Sequence, residues 1–103
     1  QCGIDIEQIT DRIERIKHKF IREDEMAFTE SGLKGMYMVW CAKEAMYKYY
    51  GLKALDFKAN LRLRFEPFQH TGVLQGNISK NEYEKTMNLD YQFFDEYLLI
   101  HTQ

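Results

Sequence analysis

The second half of the chain alternates apolar and polar residues, and this pattern limits the fold more than any other feature of the sequence. Residues 57–66 alternate strictly, and residues 87–93 repeat the pattern. Successive side chains of a strand point to opposite faces of a sheet. Each alternating run therefore predicts a strand with one buried face, and this half of the chain predicts a sheet.

Turn signals separate the predicted strands and indicate how they are connected. Pro67 would end the first strand, because proline donates no backbone hydrogen bond, and residues 69–72 favour a turn. Residues 73–79 are a candidate for the second strand. Residues 95–96 would turn the chain into a last strand over 97–101. Short connections join antiparallel neighbours, so the sequence predicts an antiparallel sheet.

Helical patterns dominate the first half of the chain. Residues 34–50 contain no proline and few β-branched residues, and Gly51 follows as a candidate C-cap, which predicts the main helix. Residues 10–22 carry apolar residues at helical spacing and predict a second, amphipathic helix. Residues 23–33 predict a short helix or turn leading to a loop. We therefore predict one α+β domain spanning 1–103, in which an antiparallel sheet of three to five strands packs against two main helices.

Composition narrows the class of protein. The chain has 103 residues, of which 45% are apolar and 15% aromatic, enough for the core of one small domain. Its formal net charge of −2 offers no bulk positive charge for nucleic acid, and no apolar run reaches the roughly 18 residues of a membrane span. Cys2 and Cys41 form no close-spaced pair. We expect free thiols in a reducing, cytoplasmic location, with a disulfide between them as the alternative.

Two carboxylates lie two residues apart near the start of the chain. Residues 2–7 predict a short strand, in which Asp5 and Glu7 share one face while Ile4 and Ile6 occupy the other, buried face. Carboxylates held side by side repel each other, and a divalent cation relieves that repulsion. Mg²⁺ prefers such oxygen ligands and keeps waters that a phosphate can replace. The alternative is a solvated strand face that binds nothing.

A third carboxylate lies on the predicted main helix, between two lysines. Glu44 follows Lys43 directly, and Lys48 lies one helical turn beyond it. If the fold brings Glu44 to the first two carboxylates, the three form an oxygen-rich pocket flanked by ammonium groups suited to phosphate. Otherwise Glu44 and Lys48 form an ordinary surface ion pair.

Taken in order, these segments resemble the signature of a known enzyme family. The chain has Gly-Ile-Asp-Ile-Glu over 3–7, a phenylalanine and a glutamate-rich stretch over 20–25, and Trp-x-x-Lys-Glu-Ala-x-x-Lys over 40–48. Their order, spacing and residue types resemble the 4′-phosphopantetheinyl transferase superfamily over residues 3–51. The resemblance implies an enzyme that moves the phosphopantetheine arm of coenzyme A onto a serine of an acyl or peptidyl carrier protein, with Mg²⁺ as cofactor.

The resemblance also implies roles for individual residues. Asp5, Glu7 and Glu44 would be the metal ligands. Lys43 and Lys48 would contact the phosphates of the co-substrate, coenzyme A. Transfer of a phosphoryl-type group depends mainly on positioning and on neutralising the charge of phosphate oxygens, which these residue types can do.

The general base is less well defined by the resemblance. Glu25 resembles the family glutamate proposed to help deprotonate the serine, with Glu23 close by in the same stretch. Glu44 is a rival for this role. The predicted catalytic residues are therefore Glu25, Glu44 and Lys48.

The resemblance covers only one half of the larger members of the family. Surfactin-type members contain two similar halves, and this chain matches the second, whereas the smaller holo-acyl-carrier-protein-synthase type builds its sites between subunits. The resemblance therefore implies one half of a pseudo-dimer, a C-terminal half or fragment, that needs an N-terminal half or a homo-oligomer partner. Two alternatives stay open: a catalytically silent half-domain that binds coenzyme A or a protein, and an unrelated Mg²⁺-dependent phosphohydrolase.

Basic residues crowd the segment between the two acidic motifs. They are Arg12, Arg15, Lys17, Lys19 and Arg22. Carrier proteins are usually acidic, so this segment is a candidate docking face. The alternative is the solvated surface of an amphipathic helix.

Overall fold

Antiparallel strands form a single sheet. The structure is a computed structural model that describes residues 2–52, 54–64 and 71–103. In these ranges the strands are β1 (Ile4–Gln8), β2 (Leu61–Arg64), β3 (Thr71–Lys80), β4 (Tyr83–Phe94) and β5 (Tyr97–Thr102). They lie side by side in the order β1-β5-β4-β3-β2, so the first strand of the chain pairs with the last.

Helices pack on one face of this sheet. The main helix, α1, spans Leu33–Tyr50 and is capped by Gly51, whose φ of 74° is a left-handed conformation that glycine adopts without strain. Between β1 and α1 the chain forms three 3₁₀ helices, which span Asp11–Arg15, Lys17–Lys19 and Glu23–Ser31. No helix in the described ranges is long and apolar enough to cross a membrane.

The core lies between α1 and the inner face of the sheet. Alternate residues of the strands point into it, and the most deeply buried are Leu61, Leu74, Ile78, Leu89, Leu98 and Ile100. From α1 the core receives Met38, Val39, Ala42, Ala45 and Met46. Removal of this apolar surface from water is the main force that holds the helix on the sheet.

Much of the predicted architecture is confirmed. The domain is α+β, its sheet is antiparallel and falls within the expected three to five strands, and α1 matches the predicted main helix with its glycine cap. The predicted turn at residues 95–96 joins β4 directly to β5.

The predicted amphipathic α-helix over 10–22 is wrong as to helix type. The segment forms two 3₁₀ helices instead, with a break at Ile16, whose φ is −118° and ψ 0°. Ile13 and Phe20 are nevertheless buried. The backbone N–H of Ile16 donates to the oxygen of Ile13, three residues earlier, at 3.1 Å, which is the hydrogen bond of a 3₁₀ helix. Apolar spacing does not reveal the break that follows.

The predicted start of the first long strand is also wrong. β2 begins at Leu61, because residues 57–60 form a turn. The carboxylate of Asp56 accepts hydrogen bonds from the backbone N–H groups of Lys58 at 2.8 Å and Ala59 at 2.7 Å. Aspartate stabilises turns in this way and competes here with the alternating pattern.

The predicted turn over 69–72 is wrong in part. Thr71 and Gly72 belong to β3 and pair with β4. Pro67, the first half of that turn and the end of the strand predicted over 57–66 fall within 65–70, which lies outside the described residues.

β1 faces the opposite way from the prediction. Ile4 and Ile6 are 53% and 55% exposed, whereas Asp5 is only 7% exposed. The carboxylate face lies against α1 because Gly3 allows a close approach there: a Cβ on Gly3 would lie 1.8 Å from the backbone oxygen of Ala45. Contact between the two backbones, rather than burial of the isoleucines, therefore orients this strand.

We expect Gly3→Ala to destabilise the protein by roughly 1–3 kcal/mol, because the added methyl group collides with rigid backbone of α1. Urea denaturation measures the change, and hydrogen exchange at Ile4–Gln8 would show whether β1 leaves the helix. Cys2→Ala, at the neighbouring exposed position, is the control and should stay within about 0.5 kcal/mol of wild type. A Gly3→Ala variant as stable as this control would contradict the close contact.

Candidate metal centre and the adjoining groove

Three carboxylates from two elements converge at one end of β1. Asp5 and Glu7 lie two residues apart on β1 and share the face toward α1. Glu44 lies on α1 directly before Ala45, the residue against which Gly3 packs. One oxygen of each carboxylate lies within 4.8 Å of those of the other two. The contact between β1 and α1 thus brings together the acidic groups of two distant motifs.

The negative charges of this cluster perturb one another. Burial raises the pKa of Glu7 to about 8, helped by the neighbouring carboxylate of Asp5 and by the charge of Glu44, while Trp40 acts in the opposite direction. Burial and the charge of Asp5 also raise the pKa of Glu44, and the ammonium of Lys48 opposes this. The cluster therefore holds more negative charge than its protein surroundings compensate.

Asp5 supplies the clearest sign that a cation fits here. Its Oδ1 accepts a hydrogen bond from the Nζ of Lys48 at 2.8 Å, but its Oδ2 is buried and has no hydrogen-bond partner among the described residues. A buried oxygen without a partner is costly and calls for an explanation such as an ion. An unpartnered buried oxygen beside two further carboxylates matches the all-oxygen ligand set that Mg²⁺ prefers.

Lys48 closes the cluster on one side. Its side chain is 50% exposed, and its Nζ also donates to the backbone oxygen of Ile4 at 3.1 Å. The hydrogen bond to Asp5 raises the pKa of Lys48 and keeps it charged. Two of its three N–H groups are used within the described residues, which leaves one for a ligand at the rim of the cluster.

Lys43 and Glu25 form a separate, enclosed ion pair. Both side chains are 0% exposed, and the Nζ of Lys43 lies 2.7 Å from Oε1 of Glu25. Lys43 also donates to the backbone oxygens of Phe20 at 2.7 Å and Phe57 at 2.8 Å, so all three of its N–H groups are used. Burial lowers the pKa of Lys43, and the charge of Glu25 opposes that shift. The structure therefore brings together four of the six predicted site residues and places these two in a group of their own.

A groove of about 490 Å³ adjoins the carboxylate cluster. It is lined by Glu7, Gln8, Thr10, Arg12, Ile13, Arg15, Ile16, Tyr37 and Trp40. The hydroxyl groups of Thr10 and Tyr37 lie 3.1 Å apart and join the first 3₁₀ helix to α1. One metal-ligand candidate, two arginines and two aromatic side chains thus face a common space.

Sequence reasoning missed Tyr37 as part of this groove, although a signal was present. Tyr37, Trp40 and Glu44 lie at positions i, i+3 and i+7 of α1, the spacing that places residues on one face of a helix. A search for polar aromatic residues on the face of Glu44 would have found it.

Both cysteines are free thiols, as the sequence predicts. Cys2 is exposed. Cys41 is buried, and its Sγ donates to the backbone oxygen of Asp5 at 3.3 Å. Burial and the charge of Asp5 raise the pKa of the Cys41 thiol, so it acts as a packing group and a donor that helps to hold β1 on α1.

Comparison with known proteins agrees with these features. A protein-family model described as the 4′-phosphopantetheinyl transferase superfamily matches residues 1–99. No curated protein matches the chain significantly. The family match extends past the two acidic motifs into the strands that follow α1. In those strands the sequence contains no motif that resembles the family.

The raised pKa of Glu7 predicts a pH-dependent stability. The folded chain binds a proton at Glu7 more tightly than the unfolded chain, whose glutamate has the ordinary value of 4.5. The free energy of unfolding should therefore fall as the pH rises from about 4.5 to about 8. In Glu7→Gln this fall should be shallower, though not absent, because the pKa of Glu44 is raised as well.

Urea unfolding at about pH 5 and about pH 9, without divalent cations, measures this difference. Glu82→Gln, in the exposed turn between β3 and β4, is the matched control and should keep the wild-type pH dependence. The same pH dependence in Glu7→Gln as in wild type would show that Glu7 does not titrate abnormally.

Proposed function

The chain belongs to the 4′-phosphopantetheinyl transferase superfamily, and we propose that it carries out the Mg²⁺-dependent transfer of 4′-phosphopantetheine from coenzyme A to a serine of an acyl or peptidyl carrier protein. The observation that carries this proposal is the convergence of Asp5, Glu7 and Glu44 around the unpartnered Oδ2 of Asp5. A family match alone would also suit a domain that has lost its site. Three converging carboxylates support an active one.

Different residues of the chain would bind the metal ion and the phosphate. Asp5, Glu7 and Glu44 would hold Mg²⁺, which when bound supplies positive charge to the pyrophosphate oxygens. Lys48 has one N–H without a partner among the described residues and lies at the exposed rim, which suits contact with a phosphate. Lys48 also holds Asp5 in place through the 2.8 Å hydrogen bond.

Glu44 is the better placed of the candidate general bases. Its side chain is half-buried, and its raised pKa makes it a stronger proton acceptor than an ordinary glutamate. Glu25, in contrast, is enclosed and accepts hydrogen bonds from Lys43 and from the backbone N–H groups of Arg22 and Leu63. We therefore assign the base role to Glu44.

The groove beside Glu7 suits the approach of the carrier serine. Arg12 and Arg15 line it and belong to the basic segment over 12–22, which would attract an acidic carrier protein. The adenine end of coenzyme A needs further contacts, for which we propose an N-terminal half or a second copy of the chain. A cytoplasmic location stays a prediction.

We expect the full-length protein that contains this chain to label an apo carrier protein with coenzyme A only when Mg²⁺ is present. Asp5→Asn and Glu44→Gln should each lower the rate by about 100-fold or more, since even residues behind metal ligands typically contribute 10- to 100-fold. Mass spectrometry of the carrier protein measures the transfer. Glu82→Gln is again the matched control and should label at the wild-type rate.

Calorimetry separates this proposal from the silent half-domain. Binding of coenzyme A without transfer to either an acyl or a peptidyl carrier, even after a first half is supplied, would favour the silent domain. Transfer that does not depend on Mg²⁺ or on Asp5 would contradict the assigned site.

The basic lining of the groove predicts a second kinetic effect. Arg12→Glu/Arg15→Glu should raise KM for an acidic carrier protein by roughly fivefold or more, because an exposed ion pair contributes up to about 1 kcal/mol. KM for coenzyme A should not change. Lys85→Glu, an exposed charge on β4 outside the groove, is the control. An unchanged KM for the carrier in the double variant would exclude the groove as its docking site.

A further inference from the structure

The enclosed ion pair of Lys43 and Glu25 also binds the backbone of two neighbouring segments. Two of the three groups that Lys43 binds are backbone oxygens, those of Phe20 and Phe57. Phe20 ends the second 3₁₀ helix, and Phe57 begins the turn before β2. Lys43 therefore ties two irregular segments to α1 at defined points.

The rings of the same two phenylalanines flank Trp40. The centroid of the Trp40 ring lies 5.1 Å from that of Phe20 and 5.5 Å from that of Phe57. These distances are typical of favourable aromatic contacts. Trp40 lies three residues before Lys43 on α1 and lines the groove together with Glu7. The backbone of each flanking residue is thus held by Lys43 while its ring packs on Trp40.

Glu25 extends the same network. Its Oε2 accepts the backbone N–H of Leu63 on β2 at 2.7 Å, and its Oε1 accepts that of Arg22 at 2.9 Å. The pair therefore joins α1, the third 3₁₀ helix, the sheet and the turn at 57–60. Every polar atom of the two side chains has a partner, which makes a buried charge pair tolerable.

We propose that Glu25 and Lys43 are positioning residues, which act through Phe20 and Phe57 to hold Trp40 at the wall of the groove beside Glu7. This assignment replaces the direct roles that the sequence suggested for them. An ammonium with three protein acceptors has no N–H left for a phosphate of coenzyme A, and an enclosed carboxylate has no path to a serine. Trp40 and Glu7 line the same groove, so the wall that Trp40 forms adjoins the carboxylate cluster.

The effect on transfer rests on the proposed function, but the effect on Trp40 does not. Trp40 is the sole tryptophan of the chain, so its fluorescence reports directly on this wall. In Glu25→Gln/Lys43→Met, which removes both buried charges, we expect a red shift of the emission and greater quenching by acrylamide. Circular dichroism establishes that the variant is folded. Lys34→Met, the same change at an exposed lysine of α1, should leave emission and quenching as in wild type.

Phe57→Leu provides a second variant in case the charge-free double variant does not fold. It removes one flanking ring but leaves the backbone oxygen that Lys43 binds. The red shift and increased quenching should appear here too. Unchanged fluorescence in either folded variant would overturn the proposal, whether or not the protein transfers phosphopantetheine.

Steady-state kinetics then separates positioning from direct contact. If the two residues act by positioning, kcat should fall roughly tenfold, a loss typical of mutations at residues that support metal ligands. KM for coenzyme A should stay at the wild-type value in both variants. A large rise in KM for coenzyme A in Glu25→Gln/Lys43→Met but not in Phe57→Leu would mean that Lys43 contacts the phosphates and would overturn the proposal. A wild-type protein that transfers nothing would refute the proposed function alone, since fluorescence still decides the role of the pair.

Discussion

The close approach of β1 to α1 at Gly3 is the constraint on which the rest of the site depends. No side chain lies between the two backbones there, because any Cβ would overlap the carbonyl oxygen of Ala45. The contact turns the acidic face of β1 toward the helix and leaves Ile4 and Ile6 exposed on the outer face. A strand that placed its isoleucines against α1 would gain apolar burial but would separate Asp5 and Glu7 from Glu44.

The carboxylate cluster that results opposes the stability of the fold. Burial and mutual repulsion raise the pKa of Glu7 and Glu44, and Oδ2 of Asp5 lacks a partner among the described residues. Such an arrangement is unfavourable until a cation joins it, and sites of this kind are where function and stability conflict. The fully satisfied pair of Lys43 and Glu25 is the opposite case, with buried charges that hold neighbouring segments in place.

Sequence patterns predicted regular elements better than irregular ones. The alternation over 87–93 and the uninterrupted run over 34–50 correspond to β4 and α1, because periodicity reports directly on which face is buried. The helix predicted over 10–22 was wrong, because apolar spacing does not reveal the break at Ile16 that divides this segment into two 3₁₀ helices. The predicted start of β2 was wrong because the carboxylate of Asp56 stabilises a turn, which the alternation of apolar and polar residues cannot reveal.

The sequence by itself determined which chemistry is available: four carboxylates and two lysines, at a spacing that resembles one enzyme family. Only the tertiary structure decided which of these groups lie together. Lys43 and Glu44 are adjacent in the chain but point about 100° apart around α1, so one is enclosed with Glu25 while the other joins Asp5 and Glu7. Spacing fixes a residue's direction on its own helix, but what it meets there depends on how segments distant in the sequence pack around it.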